Sequence, residues 1–347
     1  MEDPFREPRW DRRGLVVGDV QSGKTSNFIG LICKACDAGY KLVIVLSGQT
    51  DDLRTQTQRR LDQGFLGYDS SKITSLESGS NLVGAGHFQT NSSIVIHSGT
   101  SSNLDGDFNK ASFRTQNILF GDSPVLFVVK KNSSVLRNLF KELSKYSLKD
   151  REKFPLIIID DESDYASVNT NQIDQIKSDG SVEQKNPSAI NKLIRSIVDL
   201  FGRSAYIGYT ATPYANIFIY PNSGGTKPIN GEDLFPRSFI VNLPSPSNYF
   251  GPRKIFPPIE NENRSNCKFP LIKEIDEKAY DLKSKLPSNL EKAILHFYLV
   301  IAIRKMRGQE RNHNTMLIHT FRLNVKQISL FDLVLNYVNT VSRMLLY

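Results

Sequence analysis

Six short apolar runs rich in β-branched residues, separated by longer amphipathic stretches, constrain the fold of this chain more than any other feature. The runs lie at 15–17, 42–46, 94–97, 125–129, 156–159 and 205–209. Helices are predicted between them at 25–38, 53–61, 134–146 and 188–201. Parallel strands need crossovers long enough to hold a helix, so this alternation predicts an α/β fold: a parallel sheet with helices on both faces.

Gly18-Asp19-Val20-Gln21-Ser22-Gly23-Lys24-Thr25 fits the pattern G-x-x-x-x-G-K-[ST], and it lies where the chemistry needs it, after the first apolar run and at the opening of the first helix. Glycines let the backbone curl so that its N–H groups face phosphates, and the helix N-terminus adds partial positive charge. The loop, including Gly18, Gln21, Ser22 and Gly23, is therefore expected to hold ATP. Lys24 would reach the β and γ phosphates, and the Thr25 hydroxyl would ligate Mg2+.

The run 156–159 ends in Asp160-Asp161-Glu162-Ser163-Asp164. Open α/β sheets bind ligands at the carboxyl ends of their strands, so these acids are candidates for the same site. Asp161 is assigned to the metal and Glu162 to the attacking water, with Asp160 as an alternative metal partner because sequence does not fix the register at a strand end. Repulsion among four closely spaced carboxylates also favours a bound cation. The last run ends in Thr210-Ala211-Thr212-Pro213, whose hydroxyls can hydrogen-bond the acids and couple them to a neighbouring lobe.

After Ile219 the texture becomes rich in Pro, Gly, Asn and Ser, which sets expected boundaries at 1–220 for the first lobe and 221–289 for a loop-rich connection. A helix near 290–307, a strand at 316–319 and a helix after Asn324 then predict the incomplete start of a second α/β lobe over 290–347. Cys33 and Cys36 form a C-x-x-C inside the first helix, without a second ligand pair for zinc, and are expected to be apolar packing groups. No apolar run reaches the roughly 18 residues of a membrane span, and the N-terminal residues lack the apolar stretch of a secretory signal, so a cytoplasmic protein without membrane contact is expected. The net charge of +8 favours polyanionic partners such as DNA.

In this order the loop, the Asp161-Glu162-Ser163-Asp164 box and the Thr210-Ala211-Thr212 element resemble motifs I, II and III of superfamily-two helicases. More closely, the strings GDVQSGKT, LRTQTQRRL, IIIDDESDYAS, YIGYTATPYANIFI, NYFGP and MLIHT resemble the Z-one domain family of bacterial helicase-like proteins, described as endonucleases and associated with restriction-modification and phage defence. The resemblance implies a RecA-like P-loop NTPase lobe with Lys24 and Glu162 as catalytic residues and a nucleic-acid track at Arg54 and Gln56. It also implies methyltransferase or nuclease partner proteins. The function expected is a nucleic-acid-directed ATPase, the alternatives being a subunit of an ATP-gated endonuclease and a nucleotide-binding module without turnover. The segment after Met316-Leu317-Ile318-His319 that would bring second-lobe arginines to the ATP site is expected to be absent, so turnover by this chain alone is expected to be weak.

Overall fold

The computed structural model describes residues 1–72, 81–88, 96–115, 121, 123–168, 175–176, 182–183, 188–219, 233–251, 255, 285–321 and 324–345. They fall into two compact units, Met1–Gly251 and Pro252–Tyr347.

The first unit is built on β1 (Trp10–Val17), β2 (Leu42–Ser47), β3 (His97–Ser98), β4 (Val125–Lys130), β5 (Leu156–Asp161), a short hairpin of β6 (Gln175–Ile176) and β7 (Val182–Glu183), β8 (Arg203–Thr210) and β9 (Phe239–Asn242). All but the hairpin form one sheet in the order β3-β4-β2-β5-β8-β1-β9, with every neighbouring pair parallel. Its helices are α1 (Lys24–Ala38), α2 (Asp51–Leu61), α3 (Lys110–Thr115), α4 (Ser133–Leu143), α5 (Leu148–Glu152), α6 (Ala189–Asp199) and α7 (Tyr214–Ile217).

The central strands are apolar on both sides because both faces are covered. Leu42, Ile44, Val125, Phe127, Leu156 and Ile158 point into one core with Leu136 and Leu139 of α4 and Ile194 and Ile197 of α6. The intervening Val43, Val45, Leu126, Val128, Ile157 and Ile159 enter a second core with Phe28, Ile32 and Ala35 of α1. Burying a side chain of this size contributes about 1.5–3 kcal/mol, which makes the strand alternation the main source of the unit's stability. Helix starts are marked locally: Thr50 accepts from the Leu53 N–H, Asn132 from Ser134 and Val135, and Ser188 from Asn191.

Two features extend beyond the sequence expectations. The sheet continues past the change in composition, since β9 pairs with β1 from Gly14↔Phe239 to Val17↔Asn242. The predicted strand at 94–97 is seen only from His97, residues 94–95 lying outside the described residues.

The second unit pairs α8 (Ser288–Met306) with α9 (Asn324–Leu345). Leu286, Leu290, Ile294 and Leu330 form its core, with Met316, Ile318, Tyr337 and Val338 packed against them. No strand forms at 316–319, contrary to expectation. Met316 and Ile318 turn inward while Leu317 is 87 % exposed, which is the alternation of a strand. A ladder also needs a neighbouring strand, and none is present in this unit among the described residues. No described helix is long and apolar enough to cross a membrane.

Candidate functional site

The loop after β1 remains tied to the sheet, because the Gly18 N–H donates to the Thr210 carbonyl at 3.0 Å. Gln21 (φ 58°) and Gly23 (φ 97°) then take left-handed conformations that swing the chain into α1. Nothing lies within 4 Å of where a Cβ on Gly23 would stand, so glycine is needed there for its backbone freedom and not for space. Gly23 caps α1 without a side-chain hydrogen bond, and the first turn holds no acidic residue. The N–H groups opening the helix therefore have no intrahelical acceptor and no neutralising carboxylate. Ser22 Oγ is buried without a partner beside them. Lys24 folds back over the loop, its ammonium donating to the carbonyls of Gly18 (3.0 Å) and Asp19 (2.9 Å).

Strand parity separates the acids that sequence left ambiguous. Asp160 continues the side of Leu156 and Ile158, where it is fully buried, paired with Lys131 at 2.9 Å and hydrogen-bonded by the Tyr206 hydroxyl. It serves as a buried structural anion, which removes it as the alternative metal partner. Asp161 continues the side of Ile157 and Ile159, the face that α1 covers. Burial, followed by the charge of Glu162, raises its pKa above the ordinary carboxylate value, while Lys131 and Lys24 pull it down. Glu162 is exposed at φ 55°, and its carbonyl accepts from Lys131 Nζ at 2.7 Å. The same ammonium reaches the Tyr165 carbonyl at 3.1 Å, so Lys131 holds the whole acidic turn.

The expected coupling residues meet this turn at its last acid. Thr210 Oγ1 donates to one oxygen of Asp164 at 2.7 Å, and Thr212 Oγ1 donates to the other at 2.6 Å. Asn216 adds a bond from Nδ2 to the Ser163 carbonyl at 3.1 Å.

Register brings the loop and the turn together. Val16 pairs with Tyr209 and Tyr209 with Asp161, so a single strand separates β1 from β5 at their carboxyl ends. At ~4.8 Å between strands the backbones lie about 10 Å apart. Among the described residues no three His, Cys, Asp or Glu side chains converge as a metal cage. The loop is an open shelf: Asp19, Val20, Gln21 and Gly23 are exposed. Two clefts of the first unit lie elsewhere, one of about 480 Å3 beside Glu2, Arg12 and Arg237 and one of about 290 Å3 beside Arg59, Asp62 and Asp69.

The expected nucleic-acid track is only partly available. Gln56 is exposed, but Arg54 is fully buried, its guanidinium bonded to the carbonyls of Ser101 (2.8 Å) and Asn103 and to Thr55 Oγ1 (3.0 Å). Arg54 therefore braces the 101–106 loop and offers nothing to a phosphate backbone, because the crossover after β2 turns this side of α2 toward the sheet. Lys130, Lys131 and Asn132, which follow β4, are engaged by Asp51 (2.7 Å), by Asp160 and in capping α4. Cys33 and Cys36 are half-buried and free, and burial pushes the Cys36 thiol up to about 12, which suits packing and not redox exchange. Sequence reasoning missed the structural role of Lys131 and the contact of Arg60 Nη1 with Thr25 Oγ1 at 3.0 Å. The apolar run ahead of Lys131 and the equally apolar run ahead of Asp160 were the available signal for a buried pair.

No curated protein matches the chain. The model of one family, the Z1 domain, matches residues 289–347, inside the second unit. The Gly18–Thr25 loop and the acidic turn lie outside that match. The chain thus carries a Z1 domain over its last two helices.

Proposed function

We propose that the first unit is a RecA-like, superfamily-two helicase-like ATPase lobe, binding Mg2+ and ATP on the shelf between the Gly18–Thr25 loop and the Asp161–Glu162 turn and acting on DNA in a restriction or phage-defence setting. The observation that carries this is the convergence of an unneutralised helix start, Lys24 and Asp161 on one face and one end of the sheet, with only β8 between the strands that lead into them. The cation-bound triphosphate would supply the bond to be broken. Lys24 would exchange the neutral Gly18 and Asp19 carbonyls for anionic phosphate oxygens. Thr25 and Asp161 would hold the cation. Glu162, exposed beyond the strand end, would orient and deprotonate water, while Thr210 and Thr212 would report the state of the turn through Asp164.

The DNA part rests on the net charge of +8 and on exposed Gln56, Arg54 being buried. Calorimetry and thermal unfolding with ATP and Mg2+ test the nucleotide part. Wild type should gain about 2.7 kcal/mol at a ligand concentration a hundredfold above Kd, and Lys24→Ala should lose that gain. Glu162→Gln should keep binding and lose roughly 10²-fold or more in turnover. Unchanged affinity in Lys24→Ala would remove the loop from the site.

A further inference from the structure

Arg60 stands in the last turn of α2, 35 residues from the phosphate loop in sequence, yet its Nη1 donates to Thr25 Oγ1 at 3.0 Å. The side chain is exposed, and its partner at this contact is a neutral hydroxyl. The surroundings are already positive. Lys24 lies one residue before Thr25, the N–H groups of α1 point the same way, and no acid occupies that first turn. A guanidinium held at a cationic helix start gains little from a hydroxyl compared with what an anion would give it there, since its planar fork matches phosphate oxygens two at a time.

Thr25 adds a second constraint. Where the Thr25 hydroxyl turns its oxygen to a divalent cation, the guanidinium now bonded to that oxygen faces a like charge and must leave. Phosphate oxygens of the same ligand would be the acceptors offered to it.

Building on the nucleotide site proposed above, we propose that Arg60 is a phosphate-binding residue of that site: it holds Thr25 in the ligand-free protein and transfers to the terminal phosphate of a nucleoside triphosphate when the cation is bound. The first lobe then supplies from its own helix a positive group of the kind that resemblance assigns to a second lobe. Because the contact is to the last phosphate, Arg60 discriminates triphosphate from diphosphate, whereas Lys24 and the loop N–H groups serve both.

The experiment is titration calorimetry of the full chain with ATP and with ADP, each with and without Mg2+, for wild type, Arg60→Ala, Arg60→Lys and Lys24→Ala. Arg60→Ala should weaken Mg2+-dependent ATP binding by about 10–100-fold and ADP binding by less than about threefold, the range of a charged hydrogen-bond pair. Arg60→Lys should recover part of the loss, and the melting temperature without ligand should stay at the wild-type value. Equal weakening for ATP and ADP, or none for either, overturns the role of Arg60 while leaving the nucleotide site standing. Wild type that binds neither nucleotide overturns both. If Arg60→Ala folds poorly, Arg60→Lys decides, since a retained charge on a different geometry should still separate ATP from ADP.

Discussion

Asp161 is held at a cost. Burial and the neighbouring charge of Glu162 disfavour its ionised form, and the opposing pull of Lys131 and Lys24 leaves the pKa raised. A carboxyl raised in the folded state stabilises the protein fully below its unfolded pKa of about 3.9, and that contribution is lost as pH rises through the folded value. At neutral pH the unliganded protein therefore bears the charge as a penalty, as polar sites built for a ligand often do. Asp161→Asn should melt about 2 °C higher than wild type at pH 7 without Mg2+, a small gain because the side chain is only half-buried, and the advantage should vanish toward pH 4. Thermal unfolding across that range measures it; an Asn variant less stable than wild type at pH 7 would show that the carboxylate is a net stabiliser. Asp160, one residue earlier, is buried against Lys131 and the Tyr206 hydroxyl, and its removal would orphan a buried ammonium. Adjacent identical residues thus differ in role through strand parity alone.

At the scale of elements, β8 sets the spacing of the site. It lies between β1 and β5 and bonds both along most of its length, so its carboxyl end holds the phosphate loop on one side and the acidic turn on the other. Gly208 is where it meets that turn. A Cβ there would stand 2.7 Å from Ser163 Oγ and 2.9 Å from Ser163 Cβ, too close for ordinary contact. Gly208→Ala should destabilise the first unit by roughly 1–3 kcal/mol, read as a lower urea midpoint with an unchanged slope. A midpoint equal to wild type would mean that the turn can retreat at no cost. Five of the six strand runs and the four long helices were legible because apolar period and capping residues act within a few positions. β9 was not, because its exposed edge residues sit amid Pro and Gly and its pairing with β1 spans more than 200 residues of sequence. The strand read at 316–319 failed for the complementary reason: alternation was present and a neighbouring strand was not.

For the whole molecule, charge is the property that acts at a distance. With a net +8, binding to DNA should weaken steeply with salt, because each phosphate neutralised releases condensed counterions. Fluorescence anisotropy on a mixed-sequence duplex between 50 and 200 mM salt should lose about tenfold or more in affinity, and a flat response would argue against a phosphate-tracking surface. The two units divide the sequence signals unequally: the P-loop pattern and the acids belong to Met1–Gly251, and the Z1 domain match belongs to Pro252–Tyr347.

What sequence determined alone was whatever one segment can encode within itself. The Gly18–Thr25 pattern between a strand and a helix, the carboxylates at the end of an apolar run and the α/β class all follow from periodicity and local backbone demands. Only tertiary structure decided which of two adjacent aspartates faces α1, that Arg54 is buried under the 101–106 loop, and that Arg60 reaches Thr25. Each of those depends on which strand lies beside which and on the hand of the crossover between them, and such long-range pairings are selected by packing across the whole sheet, a free energy that no single segment carries.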